Sequence, residues 1–456
     1  MTLLGRLRRA STHRDKNERG AALLIAVTSI AILTALAVDL AYETRVSLQM
    51  AANARDELRA TYLAKSALSM SRLVLYFQGQ LDQASSALPA GLSSLFSLGA
   101  QTTQSTQGSQ SGSGQTTSSS GGGQLSLRLW DLIPIDSSVV SLFLGSGPGQ
   151  VRTSAPTLAA GTQRGAAQEG TRRVFGDTQG SFYGTIEDED RKVNLRQFDA
   201  VGSFPATQAL RLAQLVTDPK YDFLFDEEDA NGMKVSRKEL FAAIKDFEDI
   251  DQTLSIFTGD AVTPFEAGYG DENGLYARLP DRYQAKNAPF DSLDELFMVS
   301  GVSDAFMAAF GDKLTVYPDV NATINVNTSD PLQLSVNALV MSDPPGVPQP
   351  AMLDPNFLAK LQEAIAVVKP LPFLSISSQQ FANMLQALGV KVQAVYLQSS
   401  TDPGKNPFGA SSSTFHIHAV GVAGDVKKSI DAVVTFDRRA EGLSQDLGRL
   451  LHWHEE

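Results

Sequence analysis

The chain has no cysteine in 456 residues. Disulfides, zinc–thiolate sites, iron–sulfur clusters and a cysteine nucleophile are excluded, and stability must come from packing or from oxygen-ligated metals. Basic residues are in deficit, with 38 Lys and Arg against 50 Asp and Glu and a net charge of -12. That balance is wrong for a general nucleic-acid binder, because neutralising phosphate needs clustered cations. No nucleophile elbow, Walker loop or dinucleotide fingerprint occurs, and nothing in the sequence supports an enzyme. The 43% hydrophobic content is nevertheless enough for two or three packed domains.

Charge is absent from residues 21–38, and Gly and Pro are absent from residues 21–78. At about 1.5 Å per residue the uncharged run spans about 27 Å, close to the roughly 30 Å of bilayer hydrocarbon. It exceeds the about 7 to 15 apolar residues of a secretory signal. Arg6, Arg8, Arg9, Arg14, Lys16 and Arg19 precede it against only Asp15 and Glu18, a bias that retains a segment on the cytoplasmic face. The run continues into an amphipathic stretch with Val46, Met50, Leu58, Tyr62, Leu73 and Phe77 among its larger apolar positions. One helix of about 90 Å is expected, with its base in lipid and its upper part packed on a domain.

Residues 101–123 contain no apolar side chain and are expected to form a flexible loop. Residues 180–198 read as a strand ending in an acidic turn, and residues 414–435 as a hairpin turning at Gly424. Between them the periodicity is helical, as in "PATQALRLAQLV" and "SRKELFAAIKDFEDI", the second opening on Ser236 as cap with Glu239 three residues on. "FMVSGVSDAFMAAFG" has the outline of a phosphate-binding helical hairpin, but Asp291, Asp294, Glu295, Asp304 and Asp312 surround it and would repel a nucleic-acid backbone. "EEDANGMKVSRKE" mimics the start of an EF-hand: Glu227, Asp229 and Asn231 take the first, third and fifth loop positions around Gly232. The twelfth position is Lys238, where a bidentate acid is required. His416 and His418 share one strand face and His452 and His454 flank Trp453, but no carboxylate stands beside them at a recognisable spacing.

Gly20 closes "ERG" immediately before "AALLIAV". This junction resembles the signal of type IV pilins and type II secretion pseudopilins, in which a prepilin peptidase cuts after the glycine and leaves the apolar helix on the mature protein. The resemblance implies processing between Gly20 and Ala21, with methylation of the new terminus. The fifth mature residue would be Ile25, where most of these proteins carry glutamate. The K-type minor pseudopilin resembles the family otherwise and lacks that acid. Further segments resemble the K-type pattern in order: "VNL" after the acidic turn, "DFEDID" (246–251), "GDENGLYARLPDRYQAKNAPFDSLDELFMVSGV" (270–302) and "INVNTSD" (324–330).

What the resemblance implies is an α+β fold, in which a long membrane-spanning helix packs on a pilin-like β-sheet that carries a large inserted α-helical, SAM-like domain. The domains would be a cleaved leader at 1–20, a stalk at 21–80 and a pilin-like region at 81–200. The helical insertion would cover 201–392, the returning hairpin 393–439 and a tail 440–456. It further implies calcium held by Asp249, Asp251 and Glu272, with Asp271 as a substitute. The implied function is to cap the tip of a type II secretion pseudopilus and help start its assembly. Partners would be the I- and J-type minor pseudopilins and the prepilin peptidase, at the inner membrane with the C-terminal domain in the periplasm. Two other readings stay open: a minor pilin of a type IV pilus, and a bitopic binding protein with an uncut anchor.

Overall fold

A computed structural model of the protein describes residues 15–87, 126–139, 174–175, 178–226, 234–277, 282–371, 373–398, 404–436 and 447–456. Residues 1–14 of the expected leader, the loop at 101–123 and the start of the EF-hand mimic (Glu227, Asp229, Asn231, Gly232) lie outside the described residues.

Helix α1 (Asp15–Ala87) runs for 73 residues, about 110 Å at the α-helical rise. Its first part is long and apolar enough to cross a membrane, and Leu23, Ile25, Ile30, Leu33 and Leu36 are all exposed there. Further along, Ala60, Leu63, Ala64, Ala67, Leu68 and Leu75 are buried at the spacing of one helix face. They pack on the sheet residues Phe182, Phe415, Ile417, Ala419, Ile430, Ala432 and Val434. The upper end is tied down by Gln78, which accepts from Leu129 N at 2.7 Å and donates to the Leu127 carbonyl at 2.7 Å.

The chain enters the sheet with β1 (Ile135–Asp136) and β2 (Ser181–Asp188). The strand ends in a tight turn, Glu189–Arg191, capped by Asp188. It then leaves the sheet for a layer of helices: α2 (Phe204–Val216) and α3 (Arg237–Glu248), then, after a hairpin, α4 (Asp304–Phe310), α5 (Pro331–Met341), α6 (Phe357–Val368) and α7 (Ser378–Ala387). Helix α3 begins at the expected cap: Ser236 N donates to Glu239 Oε2 at 2.8 Å, and Ser236 Oγ accepts from Glu239 N at 3.3 Å. Its apolar face (Leu240, Phe241, Ile244, Phe247) enters one continuous core with Leu212, Tyr276, Phe306, Phe310, Leu361 and Phe381. After α3 the chain forms an antiparallel hairpin of β3 (Thr253–Phe257) and β4 (Phe265–Asp271), within a region whose sequence pattern is helical overall.

The return to the sheet is β5 (Thr414–Ala423) and β6 (Val426–Thr435), turning at Gly424 with φ +59°. Residues 449–455, placed by sequence in a tail, add an edge strand, β7 (Arg449–Glu455). The sheet order is β7-β6-β5-β2-β1 with all neighbours antiparallel. The fold is α+β, with the helical layer inserted between two neighbouring strands, β2 and β5. At Gly421 a side chain is impossible without movement: a Cβ there would lie 2.0 Å from the Ala60 carbonyl oxygen and 2.5 Å from Ala64 N. Alanines on α1 and glycine on β5 thus let helix and strand backbones touch.

Candidate metal centre

The acidic residues of 246–251 sit where α3 ends. The helix stops at Glu248, and Asp249 leaves it in extended conformation while its N–H still donates to the Lys245 carbonyl. Asp246, Glu248 and Asp249 therefore crowd the negative end of the helix macrodipole, which disfavours carboxylates unless a cation or proton offsets them. Lys245 is the one basic residue of that last turn, and its Nζ pairs with Asp249 Oδ2.

Glu272 comes from the far side, just past the end of β4. It is fully buried, and neither of its carboxylate oxygens has a hydrogen-bond partner among the described residues. Ligand oxygens of Asp246, Asp249 and Glu272 all lie within 4.8 Å of one another, and all three residues are buried. Asp246 accepts from Ser255 N at 3.0 and 3.1 Å, which anchors β3 to the end of α3. Asn287, held at φ +48°, donates from N to the Phe247 carbonyl at 3.0 Å and from Nδ2 to the Asp251 carbonyl at 2.8 Å. Its Oδ1 is buried and also lacks a partner among the described residues.

The electrostatics follow from this crowding. Burial pushes Glu272 up to about 7; the neighbouring Asn287 amide opposes the rise, and the charges of Asp249, Asp246 and Asp251 add to it. Burial likewise raises Asp246 above the usual carboxylate range, and Asp249 despite its pairing with Lys245. Glu248, whose two oxygens also lack partners among the described residues, is pushed well up by burial against the opposing charge of Arg196. Such a group repels itself when ionised, and a hard divalent cation relieves it. Calcium takes six to eight oxygens at about 2.3–2.6 Å, and carboxylates and amide carbonyls are the donors it prefers. The donor set of this site, all oxygen with several atoms unpaired, fits such an ion.

Of the residues expected to bind a metal, Asp249 and Glu272 are brought together. Asp251 is exposed; its carboxylate accepts from Thr253 N at 2.7 Å, while its carbonyl faces Asn287. Asp271 is exposed as well and accepts from Asn273 N at 2.9 Å. Asp246 completes the group in addition to the expected residues; the clue to it is its place in the last turn of α3, three residues before Asp249. Lys238 lies exposed on the first turn of α3, and Gly20 and Ala21 are exposed on α1.

No protein-family model and no curated protein matches the chain. Among solved structures, it is similar to a chain of the crystal structure of the GspK-GspI-GspJ complex from the enterotoxigenic Escherichia coli type 2 secretion system. The identity is 15%, the similarity covers 63% of this chain and 84% of that one, and the TM-score is 0.39.

Proposed function

We propose that the protein is a minor pseudopilin of a type II secretion system, one that sits at the tip of the pseudopilus, takes part in starting its assembly, and has no catalytic role. The observation that carries this is the division of α1: an exposed apolar part that begins at Gly20, and an upper part packed through Ala60, Ala64 and Ala67 on the sheet. A helix built this way is held in a bilayer by its first part and can exchange lipid for neighbouring helices when a filament forms. The head it carries is bulky, and Ile25 replaces the glutamate that most subunits use to join the next one. A subunit so equipped ends a filament.

Two minor subunits of the kinds named I and J in the similar complex are the proposed partners, packed helix to helix. Calcium, held by Asp246, Asp249 and Glu272, would offset the acidic end of α3 and fix the β3–β4 hairpin to it. The inner membrane, with the head in the periplasm, is the proposed location. Co-expression with two candidate partner subunits from the same host, followed by purification in detergent, tests the assembly. A stable three-subunit complex is expected. A monomer that leaves both partners unbound would contradict it.

A further inference from the structure

Four of the five histidines stand on a single surface, the face of the sheet opposite α1. The register places His416 across from Val433 and His452, and His418 across from Asp431 and His454. Residues directly opposite on antiparallel strands point to the same side. Ile417, Ala419, Ile430 and Ala432, which alternate with them, form the core against α1. Folding supplies the carboxylates that the sequence spacing does not show. Asp431 Oδ1 lies 2.7 Å from His418 Nδ1 and 3.5 Å from His416 Nε2. Glu189, almost fully buried, puts Oε1 3.8 Å from the other ring nitrogen of His416 and is held there by Lys192 Nζ at 2.5 Å.

We propose that His416, His418 and Asp431 bind a divalent transition-metal ion of the zinc class, at a site separate from the acidic group at the end of α3. Two imidazoles and one carboxylate are the donors such ions select, whereas calcium prefers oxygen alone. A tetrahedral ion with bonds of about 2.0–2.1 Å places its ligand atoms about 3.3 Å apart; His416 Nε2 stands near that distance from Asp431 Oδ1, while His418 Nδ1, hydrogen-bonded to the same oxygen at 2.7 Å, must draw back to admit the ion. The group is more open than the acidic one, whose ligand atoms all lie within 4.8 Å. Closing it needs rotation of the histidine rings, for which side-chain exposures of 32% and 43% leave room. Glu189 stands behind His416, on the nitrogen not turned to Asp431, at 3.8 Å; the ring rotation that closes the group must also shorten this contact to the hydrogen bond that orients a metal-binding histidine. The bound ion joins β5 to β6 and, through His416 and Glu189, to the turn that follows β2. His454, opposite Asp431, becomes a fourth ligand on leaving Glu456, whose Oε1 lies 3.5 Å from its Nε2.

The test uses the full chain in detergent with calcium present throughout. Zinc is titrated in competition with a chromophoric chelator, and cobalt is substituted to read the coordination from its visible spectrum. One zinc equivalent is expected in the wild type and in E272Q. It is lost in H416N/H418N, and E189Q binds roughly 10- to 100-fold more weakly. The cobalt spectrum of the wild type is expected to show nitrogen coordination and to vanish in the histidine variant. Should H416N/H418N fold poorly, D431N removes the carboxylate at a half-exposed position and is expected to lose the same equivalent. No uptake at about 1 mM zinc, or an uptake and spectrum unchanged in both H416N/H418N and D431N, would overturn the site.

Discussion

Asn325 Nδ2 lies 2.7 Å from Asp188 Oδ2 and 2.8 Å from Ser412 Oγ. One buried amide thus joins the end of β2, the segment leading into β5 and the helical layer. Asn327 extends the contact: its Nδ2 donates to Asn325 Oδ1 at 3.0 Å and to the Ile376 carbonyl at 2.9 Å, and its Oδ1 accepts from Ile376 N at 2.8 Å. Ser413 N donates to Asp190 Oδ2 at 2.6 Å on the same seam. The sheet and the inserted helices are therefore held in register by a buried polar network, which orients more strictly than apolar contact alone.

Replacing Asn325 by leucine keeps the branched shape but strips a donor from the fully buried Asp188: its Oδ2 is left with Arg191 at 3.6 Å, while its Oδ1 keeps Asp190 N at 3.0 Å. A loss of about 1–3 kcal/mol is expected from the unmade bond to a buried acceptor. The measurement is the shift in urea midpoint of Asn325→Leu against wild type. An unchanged midpoint would show that the seam contributes nothing to stability.

The contact of α1 with β5 is testable at Gly421. Gly421→Val forces a side chain into the backbone of Ala60 and Ala64, so helix and strand must separate. Overpacking of this kind costs about 1–3 kcal/mol or more. Limited proteolysis is expected to cut the upper half of α1 faster in the variant, and an identical digestion pattern would refute the packing.

Glu272→Gln separates the two states of the acidic site. Without metal the substitution removes one of three mutually repelling buried carboxylates, so the variant is expected to be more stable than wild type in chelator. With calcium at about 100 times its Kd, the wild type gains about 2.7 kcal/mol and the variant gains far less. Thermal melts with calcium and with chelator check both signs. Equal gains in the two proteins would show that Glu272 is not a ligand.

The pH dependence of the chelated protein follows from the same residue. Glu272 is held up to about 7 against an ordinary 4.5, so between those values the folded chain keeps a proton that the unfolded chain has released. Through this group, stability is highest below about pH 4.5 and falls as pH rises towards about 7. Asp246 and Asp249 are shifted the same way and steepen the fall. Calcium favours the ionised forms and flattens it. Urea midpoints across this window, wild type against Glu272→Gln in chelator, are expected to converge as the pH falls. A constant difference would contradict the shift.

Strong local signals made α1, the capped start of α3 and the β5–β6 turn legible in the sequence. Residues 21–78 offer no helix breaker, Ser236 and Glu239 stand at the spacing of a capping box, and Gly424 takes the positive φ that a tight turn needs. The β3–β4 hairpin hides because its alternation fails: Tyr269 and Ile256 are exposed, and Gly268 and Gly270 interrupt β4. Strand β7 carries Leu450, His452, Trp453 and His454 with a bulge opposite Val433 and Val434, so its period is broken as well. Two of the three residues of the acidic group, Asp249 and Glu272, are indicated by the motif resemblance. Asp251 and Asp271 differ from Asp246 in burial, which residue type and order do not encode. His418 and Asp431 are adjacent only because β5 pairs with β6 in one register.

Processing at the N-terminus decides whether the chain is a pseudopilin. Intact mass and terminal sequence of the protein recovered from membranes, with and without the host's prepilin peptidase, test it most directly. The prediction is a mature chain starting at Ala21 when the peptidase is present and a chain retaining Met1 when it is absent. A Met1 leader intact in both samples would contradict it and leave α1 as an uncut anchor.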